Sequence, residues 1–243
     1  MLSEERAMQL FDFQFMLECV PEILIKGVPV ALKIACVSFF FGLILGLIAA
    51  LARIYKVPVL RQLSALYVSF FRGTPLVVQI LIASFGVPII LRYVNYNLGT
   101  AFDISAVPEI VIMYITYSLY IGSFLSESIR SAILSVPPGQ LEAGHSLGMT
   151  TPQVLRRVTI PQALTVALPV FGNTFIGLLK DTSLAFLAAI PDILGQAKII
   201  AGRTSMFLES YIVAAIIYWV LCIILEQVLR ILEKRSRKHE RKN

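Results

Sequence analysis

Five long stretches of this chain hold no Asp, Glu, Lys or Arg: Ile34–Ala52, Gly73–Leu91, Ile110–Ser126, Val158–Leu179 and Ser210–Leu225, of 19, 19, 17, 22 and 16 residues. An apolar helix needs about 20 residues to cross roughly 30 Å of hydrocarbon, so each run spans a bilayer or nearly does. Flanking residues whose charged ends reach the interface complete the shorter runs, a part that Lys33, Glu226 and Arg230 can play. Composition points the same way: 57% of the 243 residues are apolar and 15% charged, with a mean hydropathy of +0.80, too few charges to cover a water-facing surface. The chain is predicted to be an all-α integral membrane protein, one domain over residues 1–243, with five transmembrane helices at about 28–52, 66–91, 108–131, 160–180 and 208–231. Ile54–Phe71, interrupted by Lys56, Pro58 and Arg61, reads as a turn feeding the second helix.

The net charge of +6, from 21 basic and 15 acidic residues, suggests nucleic acid only until the basic residues are placed. Five spans put the termini on opposite sides. With the C-terminus in the cytoplasm, the inner segments hold Arg53, Lys56, Arg61, Arg72, Arg130, Arg156, Arg157 and seven residues from Arg230 onward, 14 of the 21. The expected orientation is therefore N-terminus outside and basic tail, 232–243, in the cytoplasm against anionic lipid headgroups. No nucleic-acid partner is expected. Met1–Glu22 carries five carboxylates against Arg6, the opposite of a cleaved signal peptide, so the spans are expected to be retained. Cys19, Cys36 and Cys222 lack metal-ligand spacing and read as small hydrophobes, with no disulfide and no metal site.

The longest polar interruption, about 135–161, falls on the cytoplasmic side between the third and fourth spans. Pro137-Pro138-Gly139 breaks the third helix, Gln140–Ser146 favours a short helix, and Gly148 is a natural stop. A short helix of this kind lying along the membrane needs a partner protein to receive it. Glu142-Ala143-Gly144, three residues, Gly148, nine residues, then Val158-Thr159-Ile160-Pro161 resembles the EAA signature of the membrane subunits of bacterial ABC importers. The spacing matches throughout, and the departures are Gly144, Val158 and Ile160. Gly144 is expected to loosen the short helix by about 1 kcal/mol relative to Ala. Phe71-Arg72-Gly73-Thr74-Pro75-Leu76, Glu127–Arg130, Pro138-Gly139-Gln140 and Leu179–Leu184 resemble, in order, the polar amino acid branch of that family.

The resemblance implies an ABC importer permease (MetI-like) fold in a bacterial cell membrane, with a cytoplasmic coupling helix. It implies a second permease chain, identical or sister, a cytoplasmic ATPase dimer that binds ATP and magnesium, and an extracytoplasmic amino acid binding protein. The chain itself would be a translocation subunit without a catalytic site or cofactor, and it contains no G-x-x-x-x-G-K-[ST] phosphate loop. Glu142, Ala143, Gly144, His145, Gly148 and Pro161 would couple it to the ATPase.

Polar side chains within spans are costly and mark function or interhelical contact. Asn173, Gly177, Lys180 and Asp181 fall at i, i+4, i+7 and i+8, with Thr182 and Ser183 beyond them. They line a path for a zwitterionic solute, or else Lys180 and Asp181 sit at the outer interface or fix packing. Thr74 and Gln79 are further path candidates, and each could equally bond a neighbouring helix. Thr116, Tyr120, Ser123, Glu127 and Arg130 share an arc of the third span, where Glu127 and Arg130 can pair for packing or serve the path. Gly42 and Gly46 permit close helix contact. Among amino acids the blocks are most like those of cystine permeases, while glutamine, glutamate, arginine and histidine systems share them. An ion-coupled carrier is the alternative. A membrane enzyme is disfavoured because no nucleophile with a base converges.

Overall fold

The computed structural model describes residues 12–101, 103 and 107–237, with side chains as far as Lys234. The last residues of the expected basic tail, 238–243, lie outside the described residues. Among the described residues the chain is helical, and five helical segments are long and apolar enough to cross a membrane.

The first of these is longer than its charge-free run. Helix α1 (Phe13–Glu22) opens on Asp12, whose Oδ1 accepts the Phe15 N–H at 3.0 Å. It passes through a π turn (Ile23–Gly27) into α2 (Val28–Ile54), making a 42-residue helical segment. The helix therefore begins at Phe13, ahead of the span start expected near residue 28: Glu22 and Lys26 lie within it, but they pair with each other at 2.9 Å on one helix face and do not break the helix.

Helix α3 (Leu60–Gly73) corrects a second expectation, because only the residues before Leu60 turn, 60–71 is helix, and a break at Thr74 falls inside the span expected over 66–91. Thr74 is extended (φ −114°, ψ 143°), as a residue before proline is forced to be, so Pro75 separates α3 from the spanning helix α4 (Leu76–Leu98). The turn before α3 holds Lys56 and Val59 at positive φ. Tyr67, Val68 and Phe71 form the packed face of α3, while Leu63, Leu66 and Phe70 are exposed. The Tyr67 hydroxyl donates to the Leu119 carbonyl at 2.6 Å on α5 (Glu109–Leu134).

Helix α6 (Pro138–Ser146) follows α5, and α7 (Thr151–Val154) leads through a second π turn (Leu155–Thr159) into α8 (Ile160–Asp181). The fourth helical segment therefore starts at Thr151, and the loop expected to run to 161 ends at Thr150. Both π turns stand two residues before a proline, Pro29 and Pro161. A proline has no N–H for the carbonyl four residues back, and its ring crowds that carbonyl. Widening to five-residue bonds, Val28 N–H to Ile23 O and Ile160 N–H to Leu155 O, carries the helix past the obstruction. A 3-10 segment (Thr182–Ala188), α9 (Ile193–Thr204) and α10 (Phe207–Arg237) complete the chain.

The contacts divide the chain into two compact units. In the unit comprising 1–36, 77–114 and 179–224, Arg203 of α9 reaches Glu22 of α1 at 2.9 Å. Asp192, fully buried, caps α9 by accepting the Gly195 N–H at 2.9 Å and the Tyr218 hydroxyl at 2.8 Å. The unit comprising 37–76, 115–178 and 225–243 holds the close contact expected of Gly42 and Gly46. A Cβ on Gly46 would lie 3.0 Å from Leu125 Cβ and the Gly122 carbonyl of α5, and one on Gly42 would collide with Ile121.

Candidate functional site: the coupling helix and its supports

The signature segment folds as a short helix held from beneath. α5 ends at Leu134, Pro137 adopts ψ 133°, and Pro138 occupies the first turn of α6, where a missing N–H costs nothing. Gly148 has φ +77°, a left-handed conformation that closes the helix as the sequence suggests. Leu141 packs against the cluster of Ala132 of α5, Val136 of the link after it, and Ala163 and Ala167 of α8. Gly144 is buried, and a Cβ there would stand 3.0 Å from Val154 Cγ2. Its departure from the usual Ala is thus a packing feature: the backbone of α6 comes close to α7, which a helix propensity alone does not show. Glu142, Ala143 and His145 are exposed. His145 Nδ1 lies 3.2 Å from the Met149 carbonyl, which only accepts, so Nδ1 carries the proton. The result is a nine-residue helix fixed by Leu141 and Gly144 that presents a carboxylate, a methyl and an imidazole outward.

Pro161, Ile160 and Val158 lie at the π turn and the start of α8. Gln162 Nε2 donates to Gln140 Oε1 on α6 and reaches the Val158 carbonyl at 3.1 Å. The sequence reading meets Gln140 only within the Pro138-Gly139-Gln140 block and does not single out Gln162, because a bond between two helices 22 positions apart carries no periodic signal.

Glu127 and Arg130 pair at 3.3 Å, as their spacing allows, and the Arg53 guanidinium at the end of α2 also bonds Glu127. Arg53 and Glu127 keep 23% and 21% side-chain exposure, so the pair is largely shielded. One turn earlier on α5, Phe124 carries the Arg72 guanidinium 5.4 Å from its ring centroid. Sequence reasoning missed Arg53, whose contact spans 74 positions. Thr116 and Ser123 of the same arc are buried, and the Ser123 hydroxyl donates to the Tyr120 carbonyl at 2.7 Å.

The path candidates fare unevenly. In one unit Asn173 is exposed, while the Thr74 hydroxyl donates to the Phe70 carbonyl at 2.8 Å. In the other, Gln79 is buried, Lys180 is exposed, and Asp181 and Ser183 are half-buried. Thr182 is fully buried and its hydroxyl donates to the Leu179 carbonyl at 2.7 Å, so in this conformation it is committed to its own chain. No group of three or more metal-binding side chains occurs among the described residues.

Residues 42–238 match the family described as the inner membrane component of binding-protein-dependent transport systems. This chain belongs to that family. The permease is 42% identical over 218 residues to a probable amino-acid ABC transporter permease of Vibrio harveyi, PatM, covering 90% of this chain and 93% of that one. It is likewise 42% identical over 214 residues to TcyB, the permease of an L-cystine transport system in Bacillus subtilis strain 168, covering 88% and 86%. A crystal structure described as an amino acid ABC transporter with histidines shares the permease fold at a TM-score of 0.75, with 32% identity over 93% of this chain and all of the other. The all-helical, five-span, multi-pass reading from the sequence agrees with both the helices and these relatives.

Proposed function

We propose that this chain is the translocation subunit of an ATP-driven importer of a polar amino acid, and that the amino acid is cystine. Solute would come from an extracytoplasmic binding protein, and ATP and magnesium would be bound by a cytoplasmic ATPase dimer beneath a pair of permease chains, with no cofactor on this chain. The observation that carries the reading is α6: a rigid short helix, anchored by Leu141 and Gly144, that leaves Glu142, Ala143 and His145 open to a partner. A rigid element seated in a groove of the ATPase acts as a lever when the ATPases close on ATP, and it biases the spans between outward and inward openings. The basic inner segments support a cytoplasmic C-terminus and an extracytoplasmic N-terminus.

Cystine is favoured by the likeness to TcyB and by the Phe71–Pro75 and Leu179–Leu184 blocks. Lys180 and Asp181 are the proposed contacts to the zwitterion, with Gln79 and Ser183 along the path. Uptake of labelled L-cystine by cells expressing this chain with its neighbouring transport genes tests the reading. Uptake that unlabelled cystine suppresses and excess glutamine does not is the expected result; suppression by glutamine alone assigns another amino acid.

A further inference from the structure

Helix α6 is fastened on both sides of the π turn that opens α8. Before the turn, Gly144 lies against Val154. Beyond it, Gln140 bonds Gln162, and Leu141 packs against the cluster that includes Ala163 and Ala167. The π turn between these two attachments is the compliant part of the segment. Pro161 gives it no N–H to close a regular helical turn, and its hydrogen bonds run five residues back in place of four. Thr159, 3% exposed, sits in the turn with its hydroxyl unbonded. A buried hydroxyl without a partner is uncommon in a packed protein, whereas a threonine in a regular helix bonds a carbonyl three or four residues back. The turn thus holds a buried hydroxyl that a regular helical turn would satisfy.

We propose that Gln140 and Gln162 are the positioning residues through which displacement of α6 reaches the spanning helix α8, by acting across the π turn at Leu155–Thr159. The inference rests on α6 being the ATPase contact and adds the route taken from there. Because Gln162 also reaches the Val158 carbonyl, the bond from Gln140 lands on the turn itself as well as on the first turn of α8. A shift of α6 thus alters the spacing of the two ends of the π turn, and α8 responds as a unit above it. An element held at both ends by α6 has the contiguous contacts that carrying a displacement from α6 to α8 requires.

The test uses the full-length chain copurified with its ATPase subunit in lipid nanodiscs, with Cys19, Cys36 and Cys222 replaced by alanine. Spin labels on cysteines at the exposed positions Ser131 of α5 and Val166 of α8 report their separation with and without MgATP and vanadate. The expected result is a distance shift on trapping that Gln140→Leu and Gln162→Leu each abolish, with ATPase binding and basal ATP hydrolysis retained. The combined variant Gln140→Glu with Gln162→Lys, which replaces the amide bond by an ion pair, restores the shift. Single variants that keep the shift overturn the proposal, as does a shift absent from the parent complex. Loss of assembly in the single variants, restored or not in the double, makes the bond purely structural and also overturns it. Failure of the parent chain to bind any ATPase overturns the docking reading, and the route with it.

Discussion

The Glu127 carboxylate of α5 is held between Arg53 of α2 and Arg130 one turn on, two guanidinium groups sharing one acceptor across 74 residues of sequence. Removing one partner of a shielded charged hydrogen bond costs about 2 kcal/mol, because the remaining charge keeps its desolvation without its compensation. Arg53→Met and Glu127→Gln are each expected to lower the thermal denaturation midpoint of the purified permease, and Glu127→Gln more, since it leaves two guanidinium groups without a carboxylate. Recording melts of both single variants and the double checks this. A double variant as destabilised as the sum of the singles contradicts the pairing.

Asp192 gives a pH prediction. Burial pushes its carboxyl above the ordinary carboxylate range, against the bonds from Gly195 and Tyr218 that favour ionisation. The folded state then holds the proton more firmly than the unfolded chain does. Its contribution to stability is full below the unfolded value of about 3.9 and is lost as pH rises through the higher folded value. Asp192→Asn keeps an acceptor for the Gly195 N–H and is expected to flatten this part of the pH profile, with stability at neutral pH held or raised. Asp192→Leu removes the cap and the bond from the Tyr218 hydroxyl, a loss of about 1–2 kcal/mol. Thermal melts from acidic to neutral pH distinguish the three proteins.

Gly148 closes α6 at φ +77°. A β-branched residue there is strained by about 1–2 kcal/mol or more, enough to shift the end of a nine-residue helix. Gly148→Val and Glu142→Lys are expected to leave the permease inserted in the membrane while weakening its association with the ATPase. Pull-down of the ATPase with tagged permease measures this, and undiminished capture by both variants removes α6 from the contact.

Much of this was legible in the residues. Charge-free runs locate spans because a buried charge is expensive, and the Pro137-Pro138-Gly139 break with the Gly148 stop located α6 to within two residues of its start. The same rule misplaced the ends. Glu22 and Lys26 neutralise each other on one face, so α1 continues where charge alone predicts a boundary. The length of α3 was hidden by Lys56, Pro58 and Arg61, although Thr74-Pro75 carries the signal for the break that follows it. Arg53, Gln140 and Asp192 gain their roles from distant partners, which no local period encodes. Thr182 looked like a solute donor because serine and threonine near charges suggest one, and its bond to Leu179 depends on a 3-10 turn that the sequence does not announce.

Lys180 is exposed at the end of α8, whereas Thr182 beside it is sealed. Lys180→Met and Asp181→Asn are expected to cut solute uptake while leaving the amount of assembled complex unchanged. A fall in assembled complex in either single variant, recovered in the double, assigns the two residues to packing. Quantifying complex and uptake on the same four proteins decides between these roles.

The orientation of the chain and the role of α6 meet in one cross-linking measurement. A photoreactive amino acid replacing the exposed Ala143 is introduced in cells that also produce the neighbouring transport genes, and membranes are irradiated before any solubilisation. The docking assignment predicts a single adduct between this chain and the ATP-binding subunit, absent when the same group replaces the exposed Gln14 of α1, which the proposed orientation puts on the extracytoplasmic side. An adduct with the ATPase from Gln14, or none from Ala143 while the ATPase still copurifies, contradicts it.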